Sequence, residues 1–103
     1  MDAMATLAEP TRRRIVEELG SEERSVGELV DALKLSQPTV SKHLRVLRDG
    51  GLVASRVAAQ RRMYRVEPAP LKELDEWLAP YRRLWTKHLD ALERHLDRQE
   101  KKR

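Results

Sequence analysis

The run Ser36-Gln37-Pro38-Thr39-Val40-Ser41-Lys42-His43-Leu44-Arg45-Val46-Leu47 sets amide, hydroxyl, ammonium and guanidinium groups around a sparse apolar repeat. Those groups, carried near the start of a helix, are the donors and acceptors that read base edges in a major groove. On a helical wheel with Val40 at 0°, Leu44 and Leu47 fall within about 40° of it, at roughly 100° per residue. Pro38, Lys42 and Arg45 then fall at about 160°, 200° and 140°, with Thr39 and Ser41 at the edges of that outer face. The outward set is therefore Gln37, Pro38, Thr39, Ser41, Lys42 and Arg45. Gln37 and Thr39 could equally decorate the first turn, and Lys42 and Arg45 could be solvated charges. His43, at about 300° beside the apolar stripe, suits packing or a phosphate contact better than base reading.

The charge distribution favours a polyanion. Residues 34–65 hold Lys34, Lys42, Arg45, Arg48, Arg56, Arg61, Arg62 and Arg65 against Asp49 alone, a net of +7 in a chain whose total is +4. Such concentration in a third of the chain is an electrostatic footprint for nucleic acid. Double-stranded DNA is the partner expected, with Arg61 and Arg62 added as minor-groove or phosphate contacts.

These residues need positioning elements, and the periodicity supplies them. A short amphipathic stretch, Asp2 to Leu7, precedes a helix from Pro10 to Leu19 that turns Ile15, Val16 and Leu19 to one side, with Gly20 at its end. Ser25-Val26-Gly27-Glu28 is a capping box opening a two-turn helix that buries Val26, Leu29, Val30 and Leu33. Ser36 caps the next helix, which runs to about Asp49, and Gly50-Gly51 offers one left-handed cap. The period then becomes alternating: Leu52–Val57 and Arg62–Val66 predict a hairpin around Ala58-Ala59-Gln60-Arg61. From Leu71 the helical period returns, with Pro80 predicting a kink or break.

The fold class expected is mainly α with a small β-hairpin, a winged helix-turn-helix with a long C-terminal dimerisation helix. One domain spans 1–103: a winged-helix core over 1–67, the dimerisation helix over 68–98 and a charged tail over 99–103. Leu71, Leu74, Leu78, Tyr81, Trp85, Leu89 and Leu92 are the expected homodimer interface, because an apolar stripe on an overhanging helix needs a second chain.

Other function classes fit poorly. No apolar run approaches the roughly 18 residues of a membrane span, and no export signal opens the chain, so a cytoplasmic protein with no membrane partner is expected. Zero cysteines exclude thiolate metal sites and thiol redox chemistry. There is no nucleophile–base set or phosphate-cradling glycine loop, so neither enzyme activity nor a cofactor is expected. The alternative reading is a winged-helix interaction module for an acidic protein. Its groove face would more often be apolar or aromatic, whereas Gln37, Ser41, Lys42 and Arg45 are polar.

Leu7-Ala8-Glu9-Pro10-Thr11-Arg12-Arg13-Arg14-Ile15, Ser36 to Leu47, and Gly50-Gly51-Leu52-Val53 together resemble ArsR/SmtB-type winged helix-turn-helix repressors. The likeness covers about residues 3–67, and the last helix resembles the family's dimerisation helix less specifically. Leu74-Asp75-Glu76-Trp77-Leu78-Ala79-Pro80-Tyr81 is similar to a metal-independent subgroup. The resemblance implies a homodimeric, DNA-binding transcriptional repressor of a prokaryote. Three features depart from the family pattern. Ser25, Val26 and Gly27 stand at the positions of the metalloregulators' Cys-Val-Cys motif, the wing tip lacks its usual glycine, and His88 and His95 do not match the family's second metal site.

His88 and His95 are seven residues apart, about 10.5 Å along a helix axis, too far to share an ion with bonds of about 2.0–2.1 Å within one chain. Only ligands such as Asp90, Glu93 or Asp97 from a dimer partner could complete a site. The simpler reading is that both histidines flank the Leu89–Leu92–Leu96 seam, so DNA binding is expected to ignore zinc and thiol oxidants. Titration of zinc into a protein–duplex complex checks this; release at micromolar zinc, abolished by His88→Ala or His95→Ala, would contradict it.

Overall fold

The computed structural model describes residues 2–101. In chain order the elements are α1 (Ala3–Leu7), α2 (Pro10–Leu19), β1 (Arg24–Ser25), α3 (Val26–Leu33), α4 (Gln37–Asp49), β2 (Val53–Ala58), β3 (Arg61–Val66) and α5 (Pro68–Lys101). Local chemistry explains most boundaries. Glu9 caps α2 by accepting from Arg12 N–H at 3.0 Å, and Pro10 occupies the first turn, where its missing N–H costs nothing. Ser25 and Glu28 close the expected capping box reciprocally: Glu28 N–H donates to Ser25 Oγ at 3.2 Å and Ser25 N–H to Glu28 Oε1 at 3.0 Å. Ser36 caps α4 through Thr39 N–H, and Gly51, at φ +76°, takes the left-handed position after it.

The core lies where α2, α3 and α4 meet the base of the hairpin. Ile15, Leu19, Leu29, Leu33, Val40, Leu44, Leu47, Leu52 and Val53 are buried there. Burial of each large aliphatic side chain contributes about 1.5–3 kcal/mol, so the three from α4 hold that helix in one rotation. Val26 and Val30, expected to be buried with Leu29, are half-buried and pack on the cluster's edge.

Two short turns shape the helix-turn-helix. Lys34 ends α3 in the left-handed region at φ 57°, its N–H bonded to Val30 O at 2.9 Å. Arg14 reaches across to donate to Leu33 O at 3.1 Å, fastening α2 to the end of α3. Arg12 and Arg13 likewise donate to carbonyls of Thr6, Leu7 and Ala8, which ties α1 to α2.

The hairpin differs from expectation at its edges. Its strands begin at Val53 and Arg61 rather than Leu52 and Arg62, and only Ala59 and Gln60 form the turn, with Ala59 at φ 58°. A third strand, β1, pairs with β3 (Arg24↔Tyr64, Ser25↔Met63), so the antiparallel order is β1-β3-β2. Across β2 and β3 the register runs from Val53↔Val66 to Ala58↔Arg61. Glu67 alone separates β3 from α5; its N–H donates to Leu52 O at 2.9 Å and its carboxylate pairs with Arg65 at 3.2 Å.

Of the kink or break expected at Pro80, the break does not occur, and α5 continues through Lys101, past the expected end at residue 98. Proline removes one bond to the carbonyl four residues back; Glu76 and Pro80 are both exposed, so water can serve that carbonyl. Lys102 and Arg103, the rest of the expected tail, lie outside the described residues. Thirty-four residues make a rod about 51 Å long at 1.5 Å per residue. The radius of gyration is accordingly 18.7 Å, against about 13 Å for a compact chain of this length. Leu71 packs on its own chain's core, whereas Trp77, Tyr81, Leu84, Trp85, Leu89, Leu92 and Leu96 stand exposed.

Candidate nucleic-acid interface

The outward face of α4 is built by what its inward face buries. With Val40, Leu44 and Leu47 inside, Gln37, Pro38, Ser41, Lys42 and Arg45 are exposed, as the wheel requires. Thr39 is half-buried, and its Oγ1 accepts from the Ser36 hydroxyl at 2.8 Å, so it serves the cap as well as the edge of the face. His43 is turned inward: its side chain is 16% exposed, and Nδ1 lies 3.8 Å from Glu9 Oε2 without a hydrogen bond. Partial burial pushes the Glu9 carboxyl up, but the Arg12 N–H, the nearby His43 and Thr11 outweigh it and hold the group below its ordinary value.

The strand period sorts the wing's arginines into two faces. Arg56, Arg61 and Arg65 share one face, and each is ion-paired. Arg56 forks onto Glu23 at 2.7 Å, Arg61 meets Glu28 at 2.9 Å, and Arg65 meets Glu67. Arg62 shares the opposite face with Tyr64 and Val66, and it lies beside α4. With Ser41, Leu44, Arg45, Arg48 and Tyr64 it lines a recess of about 210 Å³ between the helix and the wing.

Arg61 and Arg62, expected together, both border a recess of about 460 Å³ at the start of α3, but only Arg61 is ion-paired among the described residues. Sequence reasoning missed Arg48, one turn after Leu44 on the recess against α4, although the +7 segment contained it. Lys34, Lys42, Arg45, Arg48 and Arg62 form no ion pair among the described residues, so the segment's free positive charge is concentrated around α4. The arrangement is a cationic, hydrogen-bonding face with Arg62 beside it, and it suits phosphates and base edges.

A helix-turn-helix domain model matches residues 7–56. The HTH-type transcriptional regulator Rv2034 of Mycobacterium tuberculosis is 41% identical over 95 residues, covering 92% of this chain and 86% of that protein. The HTH-type transcriptional repressor SmtB of the same species is 40% identical over 65 residues, covering 63% of this chain; the chain spans about half of that repressor's length, 48%. Among solved structures, an ArsR-like transcriptional regulator from Rhodococcus sp. RHA1 superposes with a TM-score of 0.69 at 31% identity, covering 88% of this chain and 86% of that one.

The ion pairs give a pH signature. The Arg56 bond, chiefly, holds the Glu23 carboxyl below its ordinary value despite some desolvation, and the same bond raises Arg56. A carboxyl depressed in the folded state stabilises in full above its ordinary pKa, about 4.3. That contribution is lost as pH falls through the folded value. Urea unfolding of the wild type should therefore lose more stability than Glu23→Gln between about pH 5 and about pH 3. Parallel curves for the two proteins would show that the pair is thermodynamically idle.

Proposed function

Because the chain belongs to the ArsR/SmtB-type winged helix-turn-helix transcriptional regulators, we propose that it acts as a homodimeric repressor that reads a pseudo-palindromic operator with α4 and grips its backbone with the wing. The observation that carries this reading is the exposed, unpaired set Lys42, Arg45, Arg48 and Arg62 around a helix whose other face is locked in the core. Gln37, Pro38, Thr39 and Ser41 at the start of α4 are the remaining groove-facing groups. The helix N-terminus favours an approaching phosphate. His43 flanks the helix as a packing residue.

A second copy is supported by α5. Its apolar side chains from Trp77 to Leu96 are about half exposed, which makes a strip longer than soluble monomers usually leave uncovered. Pairing two such helices covers it, and the two α4 helices can then meet successive major grooves about 34–36 Å apart. Four free cations per protomer would neutralise roughly eight phosphates per dimer, so log K should fall with log salt at a slope near −7.

Selection of bound duplexes from a random pool tests the reading and the half-site symmetry at once. A two-fold symmetric consensus with that salt slope is expected; no preference over random DNA would refute it. Arg45→Ala should cost about 1–3 kcal/mol and relax preference at one position per half-site. Sedimentation equilibrium tests the dimer: the wild type should run as a dimer and Leu89→Glu with Leu92→Glu as a monomer of unchanged helicity. A wild-type monomer at tens of micromolar would remove the second copy from the scheme.

A further inference from the structure

The tip of the wing has a partner on one side only. β1 is two residues long and its last rung is Ser25↔Met63; at Val26 the chain turns away into α3. Residues 61 and 62 of β3 therefore have β2 on one side and no strand on the other. The Arg61 side chain takes that place. Its Nη2 donates to Ser25 Oγ at 2.9 Å and to Glu28 Oε1 at 2.9 Å. These are the same two oxygens that close the α3 capping box, so the hairpin tip is fastened to the start of α3.

We propose that Arg61 is the positioning residue of the wing, tethering the hairpin to the start of α3, and that Arg62 carries the wing's charge to the DNA backbone. This rests on the DNA-binding reading above and deepens it.

Three observations converge. Transferring Arg61 to a phosphate would break two hydrogen bonds and leave the Glu28 carboxylate without its ion-pair partner beside a polyanion, a like-charge arrangement that opposes binding. Arg62 makes no ion pair among the described residues, so it can meet a phosphate without such a loss. The strand period also puts the two residues on alternate faces of β3, and although both border the recess at the start of α3, Arg62 also lines the recess against α4. The tether further steadies a two-residue turn in which Ala59, lacking glycine's freedom, is held at φ 58°.

The test uses the full chain with Arg61→Ala, Arg62→Ala and Glu28→Gln. Glutamine keeps the capping box while removing the charge. In DNA-free protein, amide exchange in β1 and at Met63 should quicken by roughly three- to tenfold in Arg61→Ala, the size of one net hydrogen bond, and by less in Glu28→Gln, whose amide oxygen still accepts from Arg61. It should be unchanged in Arg62→Ala. On the selected duplex, Arg62→Ala should flatten the salt slope by about two per dimer, and Arg61→Ala should leave the slope as it is. Unchanged exchange in Arg61→Ala overturns the tether. Flattening by Arg61→Ala equal to that by Arg62→Ala overturns the division of labour. If the wild type shows no salt-dependent duplex binding, the DNA role of Arg62 falls with the functional reading, and the exchange result alone still decides the tether.

Discussion

Everything at the nucleic-acid face depends on the burial of Val40, Leu44 and Leu47 in one stripe of α4. A helix has one rotational degree of freedom against its neighbours, and three fully buried side chains over two turns remove it. Lys42 and Arg45 then have no choice of direction. Their exposure results from packing that neither residue takes part in. The same core residues contact α2, α3 and the first rung of the hairpin, so the ridge and the wing share one foundation.

Around that foundation, electrostatics divides the basic residues by function. The three consecutive arginines of α2 donate to backbone carbonyls and stitch helices together. On the hairpin, alternation puts Arg56, Arg61 and Arg65 opposite glutamates and leaves Arg62 beside α4. A net charge of +7 over residues 34–65 thus overstates the field at the wing and understates its focus at the helix.

The helices were legible in the sequence because their signals are local. The Ser25–Glu28 box, the Ser36 cap and the 3-and-4 spacing of aliphatics each act within one or two turns, and all three appear where the spacing places them. β1 was not legible: two residues carry no period, and their strand character comes from Met63 and Tyr64, almost forty positions away. A separation of 33 residues likewise hid the glutamate partners of Arg56 and Arg61. The separation of Arg61 from Arg62, however, was available in the two-residue period of β3 and needed only the register to be read. Leu71 shows the converse limit, because an apolar position on a long stripe does not reveal whether its own core or another chain covers it.

Glu67 is the whole joint between β3 and α5; its N–H donates to Leu52 O and its carboxylate pairs with Arg65. A joint one residue long leaves few backbone torsions between strand and helix, so the direction in which α5 leaves the core follows from where the Val53–Val66 rung ends β3. Over a helix about 50 Å long, a small change in that starting direction becomes a large displacement of the far end.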